Sequence, residues 1–237
     1  MMKYIIFNWK SYLNLKETTS LSRLIASFSK SKKNKIISAP NNFFHLLVQK
    51  KYPKNTLAAQ NLDLHGLGAS TGSLDISYLK ENKIKYCILG HSEVRSNFKD
   101  NDQTVSKKLN LCITNNITPI VCIGESKSVY KSKKTKKYLK TQIDNIFNKK
   151  TSYREIIVAY EPLWSIGTGL TPKMSEIDEI SNYLHDICKK YSFKKIKILY
   201  GGSVNLDNVS DILNLQKVNG VLVGSASTKS DFIKYFK

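Results

Sequence analysis

The sequence is short of arginine and of acidic residues. The shortage of acidic residues makes the chain strongly basic, and the shortage of arginine limits how it could read nucleic-acid bases. Only three of its 38 basic residues are arginine, and 18 acidic residues leave a formal net charge of +20. Nucleic-acid binding is the obvious hypothesis, but base readout relies heavily on the arginine fork. The lysines are spread along the whole chain, and the densest group, residues 131–140, suggests the solvated face of a helix. We therefore expect no specific nucleic-acid binding, although a positive surface would speed the capture of an anionic substrate.

Long apolar runs and metal-ligand spacings are also missing. No run reaches the ~18 residues that suggest a membrane span, and residues 1–10 lack the features of a signal peptide. We expect a cytoplasmic protein without metal or organic cofactor. No CxxC spacing joins the cysteines, so we predict buried free thiols at Cys87, Cys112, Cys122 and Cys188.

Apolar runs of strand length alternate with amphipathic stretches of helix length. The expected strands are residues 4–8, 35–39, 57–60, 86–90, 118–123, 156–161, 196–200 and 218–224. The expected helices are residues 16–29, 43–50, 76–81, 102–115, 129–148, 175–190, 206–214 and 230–235. Strict alternation predicts an α/β fold with eight parallel strands, in one domain over residues 1–237. Eight strands favour a closed barrel, although the rhythm alone also permits an open doubly wound sheet.

Polar residues stand at the carboxyl ends of the expected strands. Asn8, Lys10, His91 and Glu161 each lie at or just after such an end, and the last two strands end in glycine-rich turns. In α/β barrels these ends share one rim, where the reactive residues lie. We therefore expect an acid, a base and a cation on the same rim.

Glu161 and the segment after it predict a general base beneath a lid. The carboxylate ends an apolar strand and is followed by proline and tryptophan, surroundings that suit a base. Residues 166–170 contain two glycines and lie between Pro162 and Pro172, a composition that fits a mobile segment between stiff hinges. The alternative is a simple strand-to-helix loop with one surface glutamate.

His91 and Lys10 suggest the other reacting groups. Residues 90–95 leave a strand and enter a turn of helix, whose dipole disfavours a protonated histidine. His91 could therefore stay neutral and polarise a carbonyl. Lys10 could balance the charge of an enolate. A structural histidine and one more surface lysine are the plainer interpretations.

The glycine-rich turns suggest an anion site. Residues 200–203 and 223–227 end the last two strands with glycines and other small residues. Such turns expose backbone N–H groups to an anion, and a phosphate site after strands seven and eight recurs in α/β barrels. Two ordinary tight turns are the alternative.

Together, and in order, these motifs resemble the triosephosphate isomerase family over essentially the whole chain. The most specific parts are residues 159–169 (AYEPLWSIGTG), 90–93 (GHSE) and 200–203 (YGGS). The resemblance implies a single (β/α)8 TIM barrel. It also implies cofactor-free interconversion of D-glyceraldehyde 3-phosphate and dihydroxyacetone phosphate through an enediolate, in glycolysis and gluconeogenesis.

The resemblance also implies a role for each residue. Glu161 would be the base, His91 the neutral electrophile, and Lys10, helped by Asn8, would balance the enediolate charge. Residues 162–171 would form the lid. The other assignments are Gly167, Ser203, Gly224 and Ser225 on the phosphate, Pro162, Trp164, Ile166, Thr168 and Gly169 in the lid, Ser92 and Glu93 in support, and Tyr200 against the closed lid.

One loop of the chain is similar to the family's dimer loop. Residues 60–73 match its long third loop, which implies a homodimer with Thr71 and Gly72 in the loop and Thr71 near the second subunit's active site. The chain departs from the family at Val94, where arginine is common, and at Ser73, where glutamate is common. Neither departure touches a residue assigned direct chemistry.

Two other functions compete with this interpretation. An epimerase or aldolase acting on sugar phosphates would keep the phosphate turns, but would need metal ligands or a Schiff-base lysine at a strand end. A noncatalytic binding protein on the same scaffold would use the basic surface, and salt-sensitive DNA binding would reveal it. The motif at Glu161 argues against the first, and the four rim residues argue against the second.

Overall fold

Eight parallel strands close into a barrel in chain order, with β1 paired to both β2 and β8. The computed structural model describes residues 2–28, 34–147 and 153–237. The strands are β1 Lys3–Asn8, β2 Asn34–Ala39, β3 Thr56–Ala59, β4 Tyr86–Leu89, β5 Thr118–Ile123, β6 Tyr153–Tyr160, β7 Phe193–Tyr200 and β8 Gly220–Val223. The closed order confirms the predicted (β/α)8 barrel and excludes the open sheet.

Helices connect the strands on the outside of the barrel. Those in the described ranges are α1 Leu15–Phe28, α2 His45–Lys51, α3 Ile76–Glu81, α4 Ser92–Asn97, α5 Asp102–Thr114, α6 Lys127–Lys131, α7 Thr135–Ile146, α8 Met174–Cys188, α9 Val209–Asn214 and α10 Ser230–Lys234. Short 3-10 turns lie at Asn42–Phe44 and Ser225–Thr228. The connections after β4 and β5 each carry two helices, so the expected one-to-one alternation is too simple.

Alternate residues of the strands fill the barrel, because successive side chains of a strand point to opposite faces. Along β1, Tyr4 and Ile6 belong to the interior cluster, whereas Ile5 and Phe7 pack in the layer beneath the helices. Both faces of the strand are therefore buried. This explains why the strands appear in the sequence as nearly continuous apolar runs.

The prediction of a single helix over residues 129–148 is wrong. The chain forms α6 and α7 with a turn between them, and residue 148 lies outside the described residues. Lys133 adopts a left-handed backbone with φ +58°, which a right-handed helix of L-residues does not accommodate. Its N–H donates instead to the carbonyl of Tyr130 at 2.9 Å. Residues 131–140 are thus a solvated turn followed by a helix.

Other boundaries differ by a few residues. Strands β6 and β7 begin three residues earlier than expected, because the polar pair Glu155 and Lys195 lies in register between them. Residue 29, the expected end of the first helix, lies outside the described residues.

The prediction of buried free thiols is confirmed at Cys87, Cys112, Cys122 and Cys188. Among the described residues, no helix is both long and apolar enough to cross a membrane.

His45 at the start of α2 is a buried histidine that the sequence did not single out. Its side chain is fully buried, and Nε2 lies 3.1 Å from the carbonyl oxygen of Ala58. Its Nδ1 has no hydrogen-bond partner among the described residues. Burial therefore lowers the pKa of His45 to about 4, because a protonated ring would bury an uncompensated charge.

We predict that His45 makes the fold sensitive to mild acid. The unfolded chain takes up the proton near pH 6.5 and the folded protein only near pH 4. The free energy of unfolding should therefore be highest above pH 6.5 and fall by about 3 kcal/mol on the way to pH 4. Urea denaturation across this range measures the loss. In His45→Gln the free energy of unfolding should change little between pH 6.5 and pH 4. The exposed His65→Gln variant should lose stability as the wild type does. An equally large loss in His45→Gln would contradict this account.

Candidate active site

The alternation of side chains along the strands places Asn8 and Glu161 in the mouth of the barrel. Asn8 lies two residues after Ile6 of β1, and Glu161 lies two residues after Ala159 of β6, so both continue the interior series. Only 5% of the Asn8 surface and 2% of the Glu161 surface is exposed. The same periodicity that fills the core therefore aims these groups at the carboxyl rim.

Glycines lie beside Glu161 and Lys10, and two of them approach Glu161 too closely for a side chain. A Cβ on Gly124 would overlap the backbone carbonyl of Glu161, and one on Gly201 would lie 3.0 Å from its Cγ. A Cβ on Gly224 would lie 3.4 Å from Cε of Lys10. These three positions keep the mouth of the barrel open beside the reactive groups.

The carboxylate of Glu161 lies between a backbone amide and an imidazole. Its Oε2 accepts a hydrogen bond from the N–H of Ser92 at 3.3 Å, and its Oε1 lies 3.6 Å from Nε2 of His91. The backbone N–H of Glu161 donates to the carbonyl of Ile123 at 2.8 Å, which fixes the end of β6 against β5. The carboxylate is thus fixed within hydrogen-bonding reach of the cavity, the position that a general base needs.

His91 is held at the start of α4 by a hydrogen bond to one of its ring nitrogens. Gly90, with φ +66°, turns the chain out of β4, and His91 takes the N-cap position. Its Nδ1 accepts a hydrogen bond from the N–H of Glu93 at 3.2 Å. Since an accepting nitrogen carries no proton, the proton of the ring lies on Nε2, on the side of Glu161.

Lys10 reaches the site from a strained turn after β1. It has a left-handed backbone with φ +47°, an uncommon conformation for a residue other than glycine. Its N–H donates to Oδ1 of Asn8 at 3.2 Å, and its carbonyl accepts from Nε2 of Gln60 at 2.8 Å. Its Nζ lies 2.7 Å from Oε1 of Glu93. The neighbours thus fix both the backbone and the ammonium group.

One cavity of about 100 Å³ brings together half of the predicted site residues, including all of those predicted to be catalytic or to bind the phosphate. The predicted residues in its lining are Asn8, Lys10, His91, Glu161, Ile166, Gly167, Ser203, Gly224 and Ser225. Two of its walls are the turns after β7 and β8, and Ser225 begins a 3-10 turn. Backbone amides of such turns, with an ammonium group beside them, favour an anion.

The predicted lid is tied to the barrel at its amino-terminal end by Trp164. The indole Nε1 of Trp164 donates to Oε1 of Glu125 at 3.1 Å. The hydroxyl of Tyr160 donates to the same oxygen at 3.1 Å. Glu125 is fully buried, and burial raises the pKa of its carboxyl group. The indole also stacks on the ring of Tyr130, at 4.3 Å between centroids.

Ser165 connects the lid to the turn after β7. Its hydroxyl donates to the carbonyl of Leu170 at 2.6 Å and accepts from the N–H of Ser203 at 3.2 Å. The hydroxyl of Tyr200 lies 3.3 Å away. Burial raises the pKa of Tyr200 to about 12, so that hydroxyl keeps its proton at neutral pH.

The remaining predicted residues lie outside the cavity. Ser92 and Glu93 act on it through Glu161, His91 and Lys10, as described above. The lid residues not in its lining are Pro162, Trp164, Thr168 and Gly169. Thr71 and Gly72 are exposed on their loop, and the structure does not bring them to the cavity.

Sequence reasoning missed Glu125 and Tyr130. Glu125 lies two residues after β5, so the rule that polar residues at strand ends form the site could have found it. No pattern in the sequence points to Tyr130, because its contact with Trp164 depends on the path of the chain through α6. Within the described ranges, no group of three or more His, Cys, Asp or Glu residues could hold a metal ion.

A buried carboxylate, an imidazole and an ammonium group beside an anion cradle define an acid–base enzyme of the α/β-barrel class. The sequence model of triosephosphate isomerase matches residues 3–237. The chain therefore belongs to the triosephosphate isomerase family. It is 38% identical to triosephosphate isomerase from Buchnera aphidicola subsp. Schizaphis graminum, over 99% of this chain and 96% of that protein. The enzymes from Mesomycoplasma hyorhinis (37%; 97% and 96%) and Francisella tularensis subsp. holarctica (36%; 97% and 94%) are similarly close.

We predict that Gly124→Ala displaces Glu161 and lowers both stability and turnover. The new Cβ would overlap the carbonyl of Glu161, so the end of β6 must shift. Such overpacking costs about 1–3 kcal/mol of stability, and displacement of a reacting group lowers turnover by roughly 10- to 100-fold. Thermal unfolding and turnover measure the two effects. Gly66→Ala, where a Cβ meets nothing within 4 Å, is the control. Unchanged turnover in Gly124→Ala would refute this account.

Proposed function

We propose that this chain interconverts D-glyceraldehyde 3-phosphate and dihydroxyacetone phosphate by proton transfer through an enediolate, without metal or organic cofactor. The reaction class, isomerisation of a triose phosphate in glycolysis and gluconeogenesis, follows from the family to which the chain belongs. The observation that carries the mechanism is the 3.6 Å distance between Oε1 of Glu161 and Nε2 of His91 inside one small cavity.

Glu161 is the base in this mechanism. Its carboxylate removes the proton from the carbon next to the carbonyl and returns it to the neighbouring carbon. Burial at 2% exposure keeps water from competing for the carboxylate. The hydrogen bond from the Ser92 N–H orients the other oxygen, which leaves Oε1 for the substrate.

His91 is the electrophile. Its Nε2–H donates to the carbonyl oxygen of the substrate and stabilises the negative charge that develops there. The same nitrogen can then carry a proton between the two oxygens of the enediolate. The hydrogen bond from the backbone N–H of Glu93 to Nδ1 supports this role because it fixes which ring nitrogen donates.

Lys10 supplies the positive charge. Its ammonium group lines the same cavity and balances the enediolate, and its chain is held in place by Asn8, Gln60 and Glu93. Asn8 contributes its buried amide at the same oxygens. Because the strained backbone of Lys10 is fixed before substrate binds, little reorganisation is needed during the reaction.

The phosphate lies against Gly167, Ser203, Gly224 and Ser225. All four residues line the cavity, and small residues allow close approach to their backbone N–H groups. The lid, residues 162–171, closes over the phosphate, with the Gly167 N–H as its contact and Tyr200 against the closed lid. Closure excludes water and holds the enediolate planar, so that it does not lose its phosphate.

The protein acts as a homodimer in this proposal. Phe43, Leu67 and Phe98 are large apolar residues with more than 70% of their surface exposed, which is typical of a surface that binds another protein. A groove of about 1150 Å³ beside Lys10 and His91 is lined by two of them, and Leu67 lies on the loop predicted to enter a second subunit. A mass in solution of twice 27.0 kDa would support the dimer, and the mass of one chain would contradict it.

We further propose one catalytic domain over residues 1–237, working in the cytoplasm and without specific nucleic-acid or membrane binding. Four buried free thiols suit a reducing compartment. The lysines on α7 and on the turn before it are exposed, and two of them pair with carboxylates, Lys136 with Glu179 at 2.6 Å and Lys140 with Asp144. The positive surface then serves the capture of an anionic substrate.

We predict that Glu161→Gln leaves a folded protein whose turnover is lower by several orders of magnitude. Glutamine keeps the shape of the side chain but cannot accept the proton. Conversion of glyceraldehyde 3-phosphate in a coupled assay measures the loss, and circular dichroism checks the fold. Glu81→Gln, an exposed carboxylate at the end of α3, should leave turnover unchanged. Near-normal turnover of Glu161→Gln would remove this residue from the role of base.

We also predict that deletion of residues 166–168 from the lid raises the yield of methylglyoxal relative to isomerised product. Without these residues water reaches the enediolate, which then eliminates its phosphate. Colorimetric methylglyoxal and product assays on the same reaction give the ratio. An unchanged ratio at lowered turnover would show that the segment does not protect the intermediate.

A further inference from the structure

A pair of stacked aromatic rings joins the predicted lid to the helices beside it. The ring centroids of Trp164 and Tyr130 are 4.3 Å apart, and the planes meet at 29°. Trp164 belongs to the lid, whereas Tyr130 belongs to α6. Stacked aromatic pairs attract each other beyond the area that they bury. The stack therefore favours the lid position in which the two rings face each other.

Tyr130 is itself anchored from a second helix. Its hydroxyl donates to Oε1 of Glu176 in the first turn of α8 at 3.0 Å. The other oxygen of Glu176 accepts from the backbone N–H of Lys173 at 2.9 Å. The ring is thus held by its own helix on one side and by a fixed carboxylate on the other. It forms a rigid platform for the indole.

The lid position held by this platform conflicts with phosphate binding. Ser165, directly after Trp164, accepts the N–H of Ser203 at 3.2 Å. That N–H is one of the proposed donors to the phosphate. A phosphate at this turn and the Ser165 hydroxyl would therefore compete for the same hydrogen.

We propose that the lid position described here is a resting position, and that Tyr130 is a positioning residue that stabilises it through the stack with Trp164 and thereby weakens the binding of the phosphate group. The inference rests on the proposed function, because it takes the Ser203 N–H as a phosphate donor. Apparent affinity falls with the fraction of protein that is competent to bind. Loss of the stack must then raise that fraction and tighten binding.

The test measures the affinity of the full chain for glycerol 3-phosphate, which carries the phosphate and three carbons but no carbonyl. Tyr130→Ala should lower the Kd by about 2- to 10-fold, the range expected for one aromatic stack. The KM for glyceraldehyde 3-phosphate should fall with it. Tyr130→Phe keeps the ring and should change the Kd by less than about 2-fold. A gain in affinity is not a result that simple damage to the fold produces.

Fluorescence reports on the lid directly. The chain has two tryptophans, and Trp9 is fully buried, with its Nε1 donating to the carbonyl of Ser227 at 3.1 Å. Trp164 is only half-buried. Quenching by acrylamide therefore comes mainly from Trp164. It should increase in Tyr130→Ala and stay close to the wild-type value in Tyr130→Phe.

Tyr183→Ala is the matched control. Tyr183 is half-buried on α8, and its hydroxyl donates to the carbonyl of Lys136 on α7 at 3.1 Å, so it also joins α8 to a neighbouring helix but makes no contact with Trp164. Its Kd should equal that of the wild type. If Tyr130→Ala fails to fold, Tyr130→Leu keeps an apolar side chain without a ring and takes its place.

Two results overturn the proposal, and they are distinguishable. A Tyr130→Ala protein that binds glycerol 3-phosphate as Tyr183→Ala does, or more weakly, shows that the stack does not hold the lid away from the phosphate. A wild-type protein that does not bind glycerol 3-phosphate refutes the proposed phosphate site, and this inference with it.

Discussion

Burial of the Glu161 carboxylate is the constraint on which the rest of the site depends. The alternation of β6 points this side chain into the barrel, where a charged group is costly unless partners compensate for the lost water. The compensation comes from the amide of Ser92 and the imidazole of His91. The backbone of β5 must also approach closely, and for that reason the chain has glycine at position 124.

The other groups of the site depend on short turns rather than on the strands. His91 is out of phase with the interior residues of β4, and it reaches Glu161 only because Gly90 turns the chain with a positive φ. Lys10 likewise reaches the cavity from a left-handed turn held by Asn8 and Gln60. The barrel thus supplies the common rim, and the turns after its strands supply the geometry of the chemistry. This division is the usual one in α/β barrels.

Much of this arrangement follows from patterns that are local in the sequence. The alternation of apolar runs predicts the barrel, and the polar residues at strand ends predict that Asn8, Lys10, His91 and Glu161 share a cavity. The break between α6 and α7 was not predictable, because it depends on a left-handed lysine where glycine is usual. The stack of Tyr130 on Trp164 follows from that break and from the packing of α8 beside it. Contacts between distant segments leave no periodic trace in the sequence.

The central claim is that these groups isomerise a triose phosphate by acid–base chemistry alone. The most direct test is conversion of glyceraldehyde 3-phosphate to dihydroxyacetone phosphate by the purified protein, in a coupled assay with a metal chelator present. The account predicts rapid turnover that the chelator does not change. A folded protein that gives no turnover, or one whose turnover the chelator abolishes, would contradict it.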